Sequence, residues 1–268
     1  MSQRRRDVSM FVSSGHHIYE NARAFNSHRI SPGLSSYWTG QGWFDWAFEE
    51  ASSDCVMVTF SAAMPATGQT YPMFSGLSIA RALGVEWLGF SDPFYGISSD
   101  FGTSWHLGTE KINGALLIRT VLNKLLGEKK KLIFFGASAG GYAALYYSYL
   151  YPSSSVMVLN PRISLTRPPI RFSRYSSVAH PGADPESLVA KLDHDICSLY
   201  SVPVGNRVIY IQNTQDPEYF NNHYLPFREA VGDGAGVEYV LGDFGEGHVV
   251  PSVDIYLPRL RQLLVRPE

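Results

Sequence analysis

The rhythm of apolar and polar positions changes at residue 55. From there on, short unbroken apolar runs recur: CVMVTF (55–60), VEWLGF (85–90), KLIFFG (131–136), VMVLN (156–160), VIYIQN (208–213) and VEYVL (237–241). Runs this short, rich in β-branched and aromatic residues, predict strands buried on both faces. Longer segments between them repeat at helical spacing. In KINGALLIRTVLNKLL (111–126), Ile112, Leu116, Ile118, Leu122, Leu125 and Leu126 recur at roughly helical spacing. Further helices are predicted over Phe74–Leu83, Gly140–Tyr151, Tyr219–Val231 and Val253–Leu264. Strands alternating with helices give an α/β class, with a mainly parallel central sheet covered on both faces. Residues 1–50 offer few assignable elements. Their aromatic cluster (Tyr37, Trp38, Trp43, Phe44, Trp46 and Phe48) reads as core or strand, and Arg4, Arg5 and Arg6 as a frayed terminus. Residues 161–203 are Pro-rich with little periodicity. They read as a small irregular lid or cap inserted in a single domain spanning 1–268.

Composition narrows the function classes. With 45% hydrophobic and 17% charged residues, the chain has the apolar content for one packed core. A formal charge of −2 supplies no basic field for a nucleic-acid backbone. No apolar run reaches the roughly 18 residues that span a bilayer, and no apolar stretch follows the N-terminal arginines as in a signal peptide. The two cysteines, Cys55 and Cys197, form no metal-type cluster, and apart from the exposed-looking His16-His17 no paired-histidine spacing stands near carboxylates. The expectation is a cytoplasmic protein with no metal and no bound cofactor.

In parallel sheets, ligands sit beyond the carboxyl ends of the strands. One strand end stands out there: KLIFFG leads into Gly136-Ala137-Ser138-Ala139-Gly140, a G-x-S-x-G between strand and helix. A sharp turn of this kind strains the serine backbone and crowds its neighbours, which explains the small residues. Ser138 is therefore the candidate nucleophile; the competing reading is a structural tight turn. A serine nucleophile needs a base and an orienting carboxylate, in the chain order Ser, acid, His. His180 and His194 fall in the Pro-rich segment, and His223 reads as a solvated helix residue. His248, in GDFGEGHVVPS before the last helix, is the candidate base. Asp216, just past VIYIQN, is the candidate acid. Its competing role is that of helix N-cap before Pro217, and Asp243 and Glu246 are its rivals. The oxyanion donors are read as the amide of Ala139 and one from the turn after CVMVTF, Ala62 or its neighbour Ser61. Trp105 and His106 are candidate lining of an acceptor pocket, with core packing as the alternative for Trp105. Arg162, Arg167, Arg171 and Arg174 are candidate phosphate ligands, or else a solvated lid surface.

These residues resemble the α/β-hydrolase superfamily across about 55 to 265. The ordered strings VTFSAAMP, GFSDPFYG, KINGALLIRTVLNKLL, FFGASAGGYAAL, VLNPRISL, QNTQD and GEGHVVP are similar to cytosolic α/β-hydrolase-fold O-acetyltransferases of bacterial capsular polysaccharide. They are also similar to the glycan acetyltransferases of accessory secretion systems. The resemblance implies transfer of acetyl from acetyl-CoA, through Ser138, to a carbohydrate hydroxyl, with Asp216 and His248 completing the triad. Plain ester hydrolysis shares the chemistry as far as the acyl-enzyme. A peptidase or thioesterase, and a non-catalytic binding protein of the same fold, are the remaining alternatives.

Overall fold

The computed structural model describes residues 3–65, 69–126, 130–192, 195–202, 204–233 and 236–264. Its centre is a nine-stranded sheet in the order β1-β2-β3-β5-β4-β6-β7-β8-β9. The strands are β1 His16–Tyr19, β2 Gly33–Trp38, β3 Trp43–Glu49, β4 Cys55–Phe60, β5 Glu86–Phe90, β6 Lys131–Ala137, β7 Ser155–Leu159, β8 Arg207–Asn213 and β9 Val237–Gly242. All neighbours pair in parallel except β3, which runs antiparallel to β2 and β5. The helices are α1 Ala22–Ser27, α2 Leu77–Leu83, α3 Gly114–Leu126, α4 Ala139–Tyr149, α5 Pro169–Ala179, α6 Pro185–Lys191, α7 Ile196–Tyr200, α8 Pro217–Tyr219, α9 Leu225–Val231 and α10 Val253–Leu264.

The unbroken apolar runs are explained by two cores. Along β6, Leu132 and Phe134 join a cluster with Ile118, Leu122 and Leu125 of α3 and Ala144 and Leu145 of α4. The alternate residues Ile133 and Phe135 join a second cluster with Ala80 of α2 and Leu260 and Leu263 of α10. The apolar residues of β4, β7 and β8 divide between the two clusters in the same alternating way. The Pro-rich 161–203 segment forms α5, α6 and α7. Phe172, Tyr175, Leu188, Ile196 and Tyr200 from these helices are buried in the first core. His194 lies outside the described residues.

The N-terminal region departs from its sequence reading. It supplies three strands, with Trp46 and Phe44 of β3 almost wholly buried. Arg4 and Arg6 are not frayed. The Arg4 guanidinium donates to the carbonyls of Ser98, Ser99 and Pro65, and Arg6 pairs with Asp45 at 2.6 Å. Asp45 is the reason for the second contact. Burial pushes its carboxyl pKa up, and Arg6 together with the Ser36 hydroxyl opposes that shift.

Pairing register aligns the carboxyl ends. Phe60 sits opposite Gly136, Gly136 opposite Val158, and Leu159 opposite Ile211. The residues that follow therefore share one rim. The chain leaves β4 toward β5 on one side and returns to β6 on the other, so a crevice opens beyond the ends of β4 and β6.

Candidate active site

Ser138 occupies that crevice. Its backbone, at φ 53° and ψ −117°, lies in a strained region between β6 and α4. Both flanking glycines are sterically required. A Cβ on Gly136 would stand 2.2 Å from the Gly140 carbonyl oxygen, and one on Gly140 would stand 2.3 Å from that of Phe60. The turn is pinned by the Ser138 amide on Leu159 O at 3.0 Å and the Arg162 amide on Ser138 O at 3.1 Å.

Asp216 and His248 meet across 32 residues of sequence, with Nδ1 2.5 Å from Oδ2. A carboxylate only accepts, so Nδ1 carries a proton, and in the neutral imidazole the lone pair is on Nε2. Asp216 is buried, and its other oxygen accepts the Tyr219 amide at 3.1 Å as the N-cap of α8. The N-cap bond and the contact with His248 therefore coexist on one carboxylate. Asp243 instead accepts the Gly245 amide, 3.0 Å away.

Two asparagines that sequence reasoning passed over hold the His248 loop. Asn213 Nδ2 donates to the carbonyls of Gly245 and Gly247, both at 2.8 Å, and its Oδ1 accepts the amides of Gln215 and Phe244. Asn160 Nδ2 donates to Val249 O at 2.7 Å, while its Oδ1 accepts the Asn213 amide. The available signal was an Asn closing each of two apolar strands, VMVLN and VIYIQN. Gly245 and Gly247 take φ of 110° and 80°, the left-handed freedom that such a tight return needs.

On the β4 side, the Ser61 amide is taken by Phe90 O at 3.3 Å. The Ala62 amide has no hydrogen-bond partner among the described residues. Ser61 and Ala62 are braced by Tyr95, whose hydroxyl reaches Ser61 Oγ at 2.7 Å and Ala62 O. His106 Nε2 also bonds Ser61 O at 3.0 Å, which fixes its proton on Nε2. Behind them, buried Asp92 accepts from the amides of Phe94, Ser104 and His106 and the hydroxyls of Thr103 and Ser104. That network holds Trp105 and His106 at φ 51° and 62°. Both are almost fully buried, so they support this wall from behind and line no open pocket. Burial keeps the His106 pKa below its ordinary value.

The β7–β8 side carries the other corrections. Arg162, read as a possible lid-surface or phosphate-contacting residue, is 1% exposed. Its Nη2 donates to the carbonyls of Leu165 and Pro168, and its guanidinium lies 5.6 Å from the centre of the Trp105 ring and within electrostatic reach of Tyr219. Arg167 pairs with Asp195 at 3.2 Å, Arg171 lies 3.9 Å from Glu218, and Arg174 is exposed. His223, read as solvated, is fully buried because the chain between α8 and α9 winds as a π turn over Phe220–Tyr224, and His223 packs edge-on against Tyr219. Burial, reinforced by Arg162 and Arg167, pushes its pKa down to about 2. Tyr219 itself drew no attention in the sequence. Its hydroxyl stands 3.1 Å from Ser138 Oγ and its ring stacks on His248 at 3.9 Å. Among the described residues, no hydrogen bond joins Ser138 to His248.

No family model matches the chain, and no curated protein sequence matches it. Among the described residues, no helix is long and apolar enough to cross a membrane. Solved structures do resemble it. The capsule O-acetyltransferase of Neisseria meningitidis serogroup A superposes with a TM-score of 0.62 at 15% identity, covering 89% of this chain and 97% of that one. A mutant of the same enzyme in complex with CoA gives 0.62 at 12% identity over the same shares. An S-formylglutathione hydrolase from Agrobacterium tumefaciens gives 0.59 at 14% identity, over 87% of this chain and 94% of that one. At such identities the likeness is one of fold, and the fold is that of α/β-hydrolases.

Proposed function

We propose that this α/β-hydrolase-fold chain is an acyl-ester enzyme working through an acyl-enzyme on Ser138, and that its reaction is acetyl transfer from acetyl-CoA to a sugar hydroxyl. The observation that carries the reading is the 2.5 Å contact between Asp216 and His248, beside a serine held in a strained strand-to-helix turn. Ser138 turns its hydroxyl from Tyr219 to His248 Nε2 and gives up the proton while Oγ attacks the thioester carbonyl. The negative charge that develops on the carbonyl oxygen falls to the amides of Ala139 and Ala62. The C–S bond then breaks, and CoA leaves with the proton from His248. The acceptor hydroxyl passes its own proton to His248 as its oxygen attacks the acetyl-serine, and collapse returns that proton to Ser138.

Both the acyl donor and the carbohydrate acceptor rest on likeness to the capsule O-acetyltransferase, one form of which was solved with CoA. The second reading is ester hydrolysis. It is favoured by the 36% exposure of the His248 side chain, which gives water a path to the base. The discriminating experiment is release of free CoA from acetyl-CoA, with and without a pool of bacterial glycans, using Ser138→Ala as the blank. Release that requires both Ser138 and glycan supports transfer. If acetyl-CoA is ignored while an aryl acetate is cleaved through Ser138, the chain is an esterase. Ser138-independent or absent turnover of both overturns the enzyme reading in favour of a binding protein.

A further inference from the structure

The hydrogen bond between Ser138 and Tyr219 has no part in the mechanism above except to be broken. Tyr219 is nonetheless held from several directions. Its amide donates to Asp216 Oδ1, its ring is 5% exposed and stacked on His248 with the planes 29° apart, and its hydroxyl lies within electrostatic reach of the buried Arg162 guanidinium. One carboxylate therefore fixes both the imidazole and the backbone of Tyr219. Either hydroxyl can donate across the Ser138–Tyr219 contact, but once Oγ carries an acyl group it has no proton, and the phenol is left as the donor. A cation behind a hydroxyl makes it a stronger donor. Arg162 suits that role: its Nε and Nη1 are buried without a hydrogen-bond partner, and among the described residues no carboxylate accepts from it.

Strand order shows which reacting atom this donor would face. Ala62 follows β4, on one side of β6. Tyr219 follows β8, on the opposite side, and His248 follows β9 beyond it. The carbonyl oxygen is assigned to the β4 side. The oxygen that exchanges its proton with the base, leaving or attacking, lies on the β8 side with Tyr219.

We propose that Tyr219 is a further catalytic residue, whose hydroxyl, 3.1 Å from Ser138 Oγ, donates a hydrogen bond to the alcohol oxygen that leaves from or attacks the acyl group on Ser138. The inference rests on Ser138 being the nucleophile. Tyr219 remains a phenol throughout, and the proton itself travels through His248. The contribution therefore scales with the charge on the alcohol oxygen. It is large for an alkoxide and small for an aryl oxide, which carries its charge unaided.

The test compares Tyr219→Phe with the native chain on an alkyl acetate and on an aryl acetate, following for the aryl ester the rapid first release of phenol. The variant keeps the ring on His248, and its thermal midpoint is expected within a few degrees of native. Turnover of the alkyl ester is expected to fall about 10- to 100-fold. The first aryl release is expected to change by less than about threefold, with the acid limb of the pH profile unmoved. An equal loss on both esters with a displaced acid limb would mean that Tyr219 only positions His248, and overturns the proposal. No loss on either ester overturns it as well. A native chain that cleaves neither ester through Ser138 overturns the underlying reading, and this proposal with it.

Discussion

The two walls flanking Ser138 are buried to similar depth but differ in their hydrogen bonding. On the β4 side, the Asp92 carboxylate accepts five hydrogen bonds, and Tyr95 and His106 relay that order to Ser61 and Ala62. On the β7–β8 side, two guanidinium nitrogens of Arg162 and both ring nitrogens of His223 have no hydrogen-bond partner. Buried polar groups are normally satisfied, and an unsatisfied one costs about 1–3 kcal/mol. The first wall is thus the more fully bonded, as suits the backbone donors proposed there for a developing charge. The second leaves more polar groups unanswered, these four nitrogens against His106 Nδ1 on the first wall.

Three substitutions bear on that contrast. Asp92→Ala would leave five donors unanswered and release two residues from positive φ, so a loss of roughly 4 kcal/mol in urea unfolding is expected. A loss under 1 kcal/mol would mean that the first wall is not the more firmly bonded one. His223→Phe acts through pH. Folded His223 takes no proton until the pH nears 2, whereas unfolded it does so near the ordinary 6.5. Between those values the unfolded chain binds more protons, so stability falls as pH drops below 6.5, by at most about 1.4 kcal/mol per pH unit. The decline from pH 7 to pH 5 is expected to be about 1–2 kcal/mol smaller in the variant, as read from unfolding midpoints. Arg162→Met removes a buried, incompletely paired charge, so stability is expected to hold or rise by about 1 kcal/mol while turnover of an alkyl ester falls. Clear destabilisation would show that the guanidinium is as well satisfied as Asp92.

The sequence was most legible where both faces of a strand are apolar. The runs from CVMVTF to VEYVL became β4 to β9 with ends shifted by no more than a residue. β3 was harder to see because WFDWAFE places a charged residue among buried ones, and Asp45 is tolerable only through Arg6, 39 residues earlier. The G-x-S-x-G turn could be read because sterics restrict it to small residues. Asp216 and His248 could be singled out because chain order and strand ends leave few alternatives. Their contact, the support from Asn160 and Asn213, and the burial of Arg162 depend on register and on the π turn, which leave no local pattern. Trp105 and His106 misled for a related reason. An aromatic beside a histidine after a strand reads the same whether it faces a ligand or braces the backbone behind one.

The asparagine clamp also has a consequence for how the molecule fails on heating. Because Asn160 and Asn213 close two central strands and also grip the His248 loop, that loop cannot lift away on its own without first breaking bonds anchored in the sheet. Regions tied to core strands open only near the global unfolding free energy. Catalytic competence and the fold should therefore be lost together, so residual turnover after mild heating would count intact molecules instead of registering a softened loop.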